Sequence, residues 1–381
     1  MLKVVLVGAG GYAANYVNHL QNPEIATEMQ LISVVDPYAK ASSVYDKFKD
    51  LVPVYDHLNE FFAAHKADLA IISTPIHLHF EQCMIALDNG AHVYCEKPLV
   101  PTLDELNRLE QKCKEVGKTL SVGFQRSYSA AVRKIKERIL AGEFGKPLNF
   151  KTLVSWPRGW DYYGRASWAG KRANESGGIV NDSVISNATA HHIHNMLFLL
   201  GANMEESAPL QNMQAECYKA NDIETFDTIA LRGKVGGADI FYTASHAVNY
   251  HLDPMCDFRF ENARIITNLF NQDWKTTIHH ANGRVEEVTY PEDGDQTKLL
   301  MTAASINGLQ PLACGIETVR PFTALIDSIF ADTTFVKFNE AFVIRDNDEK
   351  RTYVKNLHLD LLECFNLSKL PSELGFYWRT E

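Results

Sequence analysis

KVVLVGAGGYAANYV, residues Lys3 to Val17, is the stretch on which the reading of this chain turns. Val4 to Val7 form a short β-branched, apolar run that breaks into Gly8, Ala9, Gly10 and Gly11, and an alanine-rich stretch follows. The spacing predicts strand, tight turn and helix. In such a unit Gly8 allows the turn, Gly10 lets a pyrophosphate approach the backbone, and Ala13 stands where a third small residue lets helix and strand pack closely. The free amides at the helix start then face the phosphates. Glycine-rich turns also end strands for steric reasons alone, so the surroundings must decide.

Working outward, the next apolar run, LISVVD at Leu31 to Asp36, ends on an acid at about the distance at which a carboxylate meets the ribose diol of an adenosine. The two features together favour a dinucleotide over a plain turn. Asp36 would repel a 2′-phosphate, which favours NAD; Lys40 or Ser42 nearby leaves NADP open. Three further runs continue the pattern: DLAIISTP (Asp68 to Pro75), AHVYCEKP (Ala91 to Pro98) and TLSVGF (Thr119 to Phe124), separated by amphipathic helical segments. Strands alternating with helices predict an α/β domain with a parallel sheet. Ligands in such sheets lie beyond the carboxyl ends of the strands, which groups Ser73, Thr74, Pro75, His77, Glu96, Lys97 and Gln125. Pro98 biases Lys97 towards extended backbone, so the chain itself aims the lysine.

After Phe124 the texture changes, and a domain boundary is expected near Gly123. A helix from about Ser129 to Leu140 leads into NFKTLVSW and then an irregular, loop-like span, WPRGWDYYGRASWAGK, Trp156 to Lys171. Pairs of alternating runs follow: FDTIALRG and ADIFYTASH around Lys234 to Gly237, MCDFRF and ARIITN around Glu261 and Asn262, WKTTIHHA and RVEEVTY around Asn282 and Gly283. Asn-Gly between such runs is the strongest short hairpin signal. An antiparallel sheet with helices on one side, an α+β domain, is expected for the second part.

One helix there carries candidate chemistry. In GGIVNDSVISNATAHHIHNMLFLLG, Gly177 to Gly201, the segment from about Asn187 to Leu200 reads as helix, with Gly201 just past its end. Asn187, His191 and His194 fall at i, i+4 and i+7 and so share one face. Leu197 and Leu200 continue near that stripe, so a buried helix with hydrogen-bonding histidines is the competing reading. No HExxH or matched carboxylate accompanies His191 and His194, and no metal site is expected.

Composition narrows the partners. The 381 residues suffice for two domains, and 46% hydrophobic with 22% charged residues excludes disorder and fibrous repeats. A net charge of -10 argues against nucleic acid and anionic membrane surfaces and leaves small molecules. The seven cysteines are odd in number, scattered and without a CxxC pair, which argues against a disulfide framework and fits a reducing cytoplasm. Neither an export signal nor an apolar run of membrane-spanning length is visible.

GAGGYA, the strand-ending Asp36, STPIHLH, CEKPL, GFQRSY, SWAG, the GG...D...H...LG helix and the closing LDLLECFNLSKLPSELG together resemble the Gfo/Idh/MocA family of oxidoreductases, EKP being the most specific element. The resemblance implies an N-terminal Rossmann domain, a doubly wound parallel sheet over residues 1–123, that takes NAD or NADP. It further implies a C-terminal open, mainly antiparallel sheet domain over 124–381 that binds substrate and forms homo-oligomers, dimer or tetramer. The expected cofactor contacts are Gly8, Gly10, Gly11, Tyr12, Ala13, Asp36, Ser73, Thr74, Pro75, His77, Glu96, Lys97 and Gln125. Lys97 takes the place of the family's active-site lysine beside the substrate hydroxyl. The family's catalytic helix reads Asp, three residues, His; here His191 takes the histidine's place, and its i−4 neighbour is Asn187, with Asp182 farther upstream. An amide orients an imidazole but cannot hold a charge opposite imidazolium, so either Asp182 supplies that charge or His191 works without it.

These parts suit alcohol oxidation, in which hydride leaves a carbinol carbon while a base removes the hydroxyl proton and a cation stabilises the oxygen. His191 is the expected acid/base and Lys97 the donor, polariser or alternate acid/base, a division the residues leave open. Trp156, Trp160, Tyr162, Tyr163 and Trp168, interleaved with Arg158, Asp161, Arg165 and Lys171, suit the apolar face and hydroxyls of a sugar or cyclitol, and equally suit plain packing. Substrate contacts are expected from Lys97, Arg126, Trp168, Asp182, Asn187 and His191, with Tyr128 a further pocket candidate. An NAD-dependent glycosidase of the same superfamily and a non-catalytic sensor are the competing classes. Intact Lys97 and His191 argue against the sensor.

Overall fold

A computed structural model describes residues 1–269, 275–288 and 295–379. The chain forms two compact units, Met1–Ala130 with Glu292–Thr323, and Ala131–Pro291 with Ala324–Glu381. The first break lies a few residues beyond Gly123, and a segment read as part of the second domain returns to the first.

In the first unit the strands are β1 (Leu2–Val7), β2 (Met29–Val35), β3 (Val54–Tyr55), β4 (Leu69–Ile72), β5 (His92–Cys95) and β6 (Leu120–Val122). All pair in parallel in the order β3-β2-β1-β4-β5-β6, the doubly wound arrangement in which the strand order reverses beside β1. β1, β4, β5 and β6 are apolar and buried almost throughout, as strands covered on both faces must be. Each fully buried Val, Leu or Ile contributes about 1.5–3 kcal/mol. The intervening helices are α1 (Ala13–Leu20), α2 (Pro23–Ala26), α3 (Leu58–Ala64), α4 (Ile76–Asp88) and α5 (Leu103–Val116). The Thr102 hydroxyl caps α5 by accepting from Glu105 N–H, and Gly117 ends it in the left-handed region.

α6 (Ala130–Leu140) leads into the second unit, whose elements are β7 (Pro147–Ser155), α7 (Trp160–Gly164), α8 (Ala190–Leu199), β8 (Gln211–Lys219), β9 (Thr228–Val235), β10 (Ala238–Ser245), β11 (Leu252–Phe260), β12 (Ala263–Thr267), β13 (Thr276–His280) and β14 (Val285–Val288). The returning segment contains α9 (Asp295–Ile306) and the start of α10 (Ile316–Asp332), and the chain then adds β15 (Phe335–Lys337), β16 (Val343–Asp346), β17 (Arg351–Val354), α11 (Leu357–Leu367) and α12 (Pro371–Leu374). The nine-stranded sheet runs β14-β13-β12-β11-β7-β10-β9-β8-β15, antiparallel except for the β7–β10 and β8–β15 pairs. All three expected hairpin connections are present; Trp274, Thr289 and Tyr290 of the expected runs lie outside the described residues.

Helices cover both faces of this sheet rather than one. On one face the Tyr242 hydroxyl donates to the Thr189 carbonyl just ahead of α8. On the other, Leu153 and Phe241 pack with Leu357, Leu361 and Phe365 of α11, and Lys151 donates to the Phe365 carbonyl. The residues after β15 close this second face. Among the described residues no helix is long and apolar enough to cross a membrane.

Candidate functional site

β1 delivers the glycine turn. Gly8 has φ +91°, and a Cβ there would stand 2.7 Å from the Ser73 carbonyl oxygen, so the ends of β1 and β4 approach only because this residue is glycine. The space around Gly10 and Gly11 is open, as a turn that admits a diphosphate requires. Tyr12 immediately precedes α1 and is exposed, while Ala13 is fully buried. Asp36, one residue past β2, ties the turn together: Oδ2 accepts from Ala9 N–H and Oδ1 from Tyr38 N–H, each at 2.8 Å. The Ser42 hydroxyl donates to the Ala9 carbonyl at 2.5 Å. The acid expected at the ribose is thus already placed by the turn it serves.

Beyond β4, Ser73 and Thr74 are half-buried, Pro75 is exposed and caps α4, and His77 occupies its first turn. Thr74 Oγ1 donates to Gln82 Oε1 at 2.6 Å. His79, fully buried, lies with Nε2 2.8 Å from the Thr74 carbonyl and Nδ1 2.9 Å from the Pro98 carbonyl, so one ring joins the loops after β4 and β5. Three carbonyls, of Thr74, Pro98 and Leu99, favour imidazolium, but burial outweighs them and lowers the pKa. Burial, aided by His79, lowers that of His77 as well.

Past β5, Lys97 is half-buried, and its peptide bond to Pro98 is cis. Glu96, expected among the cofactor contacts, turns its carboxylate inward instead, to the hydroxyls of Tyr16 and Tyr94, to Lys298 and to the Lys97 amide. Gln125 is exposed and Arg126 half-buried in the turn after β6. Tyr128 is a core residue, its hydroxyl donating to the Val122 carbonyl at 3.0 Å.

In the second unit the helix bearing the histidines begins later than its periodicity predicts. Thr189 immediately precedes α8 without capping it, and Asn187 lies in the preceding turn, its N–H bonded to the Ser183 carbonyl. The three-residue stripe therefore dissolves. His191 opens the helix half-buried, whereas His194 is fully buried and stacks on Phe198, the ring planes 11° apart. Gly201 is needed for a different reason than a left-handed turn: a Cβ there would run into the Glu206 carbonyl.

Asp182 is buried and fully engaged. Oδ2 accepts from Gly170 N–H at 2.7 Å and from Arg165 at 3.3 Å, and Oδ1 accepts from the Asn187 amide at 2.9 Å. Asn187 is thereby oriented by the acid, while a guanidinium already shares the acid's charge. Arg165 also lies over the rings of Tyr162 and Trp168, 3.9 and 4.9 Å from their centroids. The span expected as loop contains α7, held by Trp160 Nε1 donating to Thr352 Oγ1 at 3.0 Å and Trp160 N–H to the Lys350 carbonyl at 2.7 Å. Both Thr352 and Lys350 belong to a hairpin that sequence reasoning missed.

His246 also escaped that reasoning, because it stands alone at a strand end. Its Nδ1 lies 2.8 Å from the Trp156 carbonyl, and burial, with the Arg158 and Arg165 charges, lowers its pKa to about 3. Trp156 Nε1, the Tyr163 hydroxyl and His246 Nε2 are buried without a hydrogen-bond partner among the described residues. Buried polar atoms of this kind are usually met by ordered water or a ligand. A separate group, Glu143, His280 and Glu286, has the spacing of a metal site, but Arg138 and Arg284 already meet its carboxylates.

The open turn and the acid beside it fit a dinucleotide, and comparison with known proteins agrees. Residues 2–124 match the model of the oxidoreductase family with an NAD-binding Rossmann fold, and residues 132–266 match the GFO/IDH/MocA C-terminal domain. The chain is 40% identical over 84 residues to scyllo-inositol 2-dehydrogenase (NAD(+)) of Bacillus subtilis (strain 168), covering 22% of this chain and 25% of that protein. It is 25% identical over 146 residues to D-glucoside 3-dehydrogenase of Escherichia coli (strain K12), covering 38% of this chain and 41% of the other. The chain thus spans less than half the length of either relative. The fold is also that of the WlbA dehydrogenase from Bordetella pertussis, solved in complex with NADH and UDP-GlcNAcA, at TM-score 0.71 and 21% identity over 87% of this chain and 95% of that one. With both of its domains matched, the chain belongs to the GFO/IDH/MocA family of oxidoreductases and carries that family's NAD-binding Rossmann domain.

Proposed function

We propose that this protein is an NAD-dependent dehydrogenase that oxidises a secondary hydroxyl of a sugar, cyclitol or sugar derivative, or reduces the corresponding ketone. The observation that carries the reading is Lys97, which stands just beyond the carboxyl end of β5 in the sheet whose β1 ends in an open glycine turn. The turn from Gly8 to Ala13 and Asp36 would hold the dinucleotide, with Ser73, Thr74, Pro75, His77 and Gln125 along the neighbouring strand ends. When bound, the nicotinamide supplies the hydride acceptor. His191 takes the hydroxyl proton, and the Lys97 ammonium steadies the charge left on oxygen. Asn187, held by Asp182, joins the substrate contacts. Trp168 and Arg126 contact the sugar, and the relatives that act on inositol and glucoside favour this substrate class.

The test is a panel of sugars, inositols and uronic acids with NAD and NADP, followed by the absorbance of reduced nicotinamide. At least one polyol should turn over. Lys97→Ala and His191→Ala should each lose about a hundredfold or more in kcat while still binding NAD. Wild-type turnover in both variants on the best substrate overturns the assignment. Release of free sugar without net NADH would point to the glycosidase instead.

A further inference from the structure

A second lysine stands behind the acid of the EKP stretch. Lys298, in the first turn of α9, is 1% exposed, and its Nζ donates to Glu96 Oε1 at 3.1 Å and to the Tyr12 hydroxyl at 3.3 Å. The rings of Tyr12, Tyr16 and Tyr94 surround it, with centroids 5.3, 5.6 and 6.0 Å from Nζ. The Tyr16 hydroxyl donates to the same carboxylate oxygen. The other oxygen, Oε2, accepts the amide N–H of Lys97 at 3.0 Å. Gly123 makes room for this arrangement, since a Cβ there would lie 2.6 Å from Oε1. One turn along α9, Thr302 donates to Ser121 of β6 at 3.3 Å, which pins the helix to the same strand ends.

We propose that Lys298 is a positioning residue: by pairing with buried Glu96 and reaching the Tyr12 hydroxyl, its ammonium fixes the carboxylate and so couples Tyr12, at the glycine turn, to the backbone of Lys97. A carboxylate this deep is stable as an anion only when paired and hydrogen-bonded. Without the ammonium, the Glu96 carboxylate loses its charge-assisted partner on Oε1, nothing holds it in its present orientation, and the Lys97 amide loses its anchor. The part concerning Lys97 rests on the dehydrogenase reading; the part concerning Tyr12 rests only on NAD binding by this domain.

Three variants test it. Lys298→Met keeps the aliphatic stem and removes the charge, Lys298→Arg keeps the charge, and Glu96→Gln with Lys298→Met removes the pair without stranding a charge. Each is measured by calorimetric titration with NAD, by steady-state kinetics on the best polyol and by thermal unfolding. The double variant should unfold near the wild-type temperature yet bind NAD about fivefold more weakly and turn over about tenfold more slowly at saturating NAD. Lys298→Arg should restore both to within about threefold of wild type. A stable double variant with wild-type NAD affinity and turnover makes the pair a purely structural ion pair and overturns the proposal. Should Lys298→Met fail to fold, the double variant decides. A wild-type chain that binds NAD but oxidises no polyol sinks the dehydrogenase reading alone, and the NAD titration of the double variant then decides the coupling.

Discussion

His246 illustrates how a residue's chemistry is set by what surrounds it. Its pKa falls from 6.5 to about 3 because the folded chain buries it beside Arg158 and Arg165. Between those two values the unfolded chain binds a proton that the folded chain does not, so its contribution to stability is complete above pH 6.5 and is lost as pH falls towards 3. At pH 5 the loss is about 2 kcal/mol. Fully buried His79 and half-buried His77, His92 and His358 act in the same direction, so the comparison must be between variants. His246→Asn should shrink the fall in urea stability between pH 7 and pH 5 by about that amount; an unchanged fall would assign the pH dependence elsewhere. At this scale the sequence pointed to Asp36 and Lys97 through motif and position. It could not show that Glu96 faces inward, because its partners Tyr16 and Lys298 are 80 and 202 residues away.

Elements whose signals are local were legible, and the β1–turn–α1 unit is the clearest. Its glycines nevertheless differ in what they do. Gly8→Ala should cost about 2–4 kcal/mol, since it adds a Cβ at positive φ against the Ser73 carbonyl. Gly10→Ala, with open space around it, should leave the unfolding midpoint nearly unchanged and weaken NAD binding. Equal midpoints for the two variants in thermal unfolding would refute the distinction. The start of α8 was misread because histidine and asparagine periodicity does not register a turn held by Ser183 and Asp182. β8 does alternate, Met213, Ala215 and Cys217 against Gln214 and Glu216, but without large β-branched or aromatic residues along most of its length, and β15 to β17, at three or four residues each, are too short for a period to register.

Across the whole molecule, two decisions escaped a reading that moves along the chain. One is the return of residues 292–323 to the first unit. The other is the use of the residues after β15 as core of the second. Trp378 is fully buried among Tyr218, Phe338 and Phe376, and its Nε1 donates to Asp360 at 2.8 Å. Trp378→Ala should destabilise that unit by about 3–5 kcal/mol in urea unfolding; a loss confined to a few tenths would mean that the segment is an appendage. The order of strands and helices in the first unit, the glycine turn, the acid after β2, the lysine after β5 and the three hairpins were determined by sequence alone, because propensity, periodicity and turn chemistry act over a few neighbouring residues. Which groups meet the buried Glu96 carboxylate, which histidine of α8 is left accessible, and what closes the second sheet were decided only by tertiary structure. Those outcomes depend on burial and charge pairing between segments far apart in the chain, and no local pattern records them.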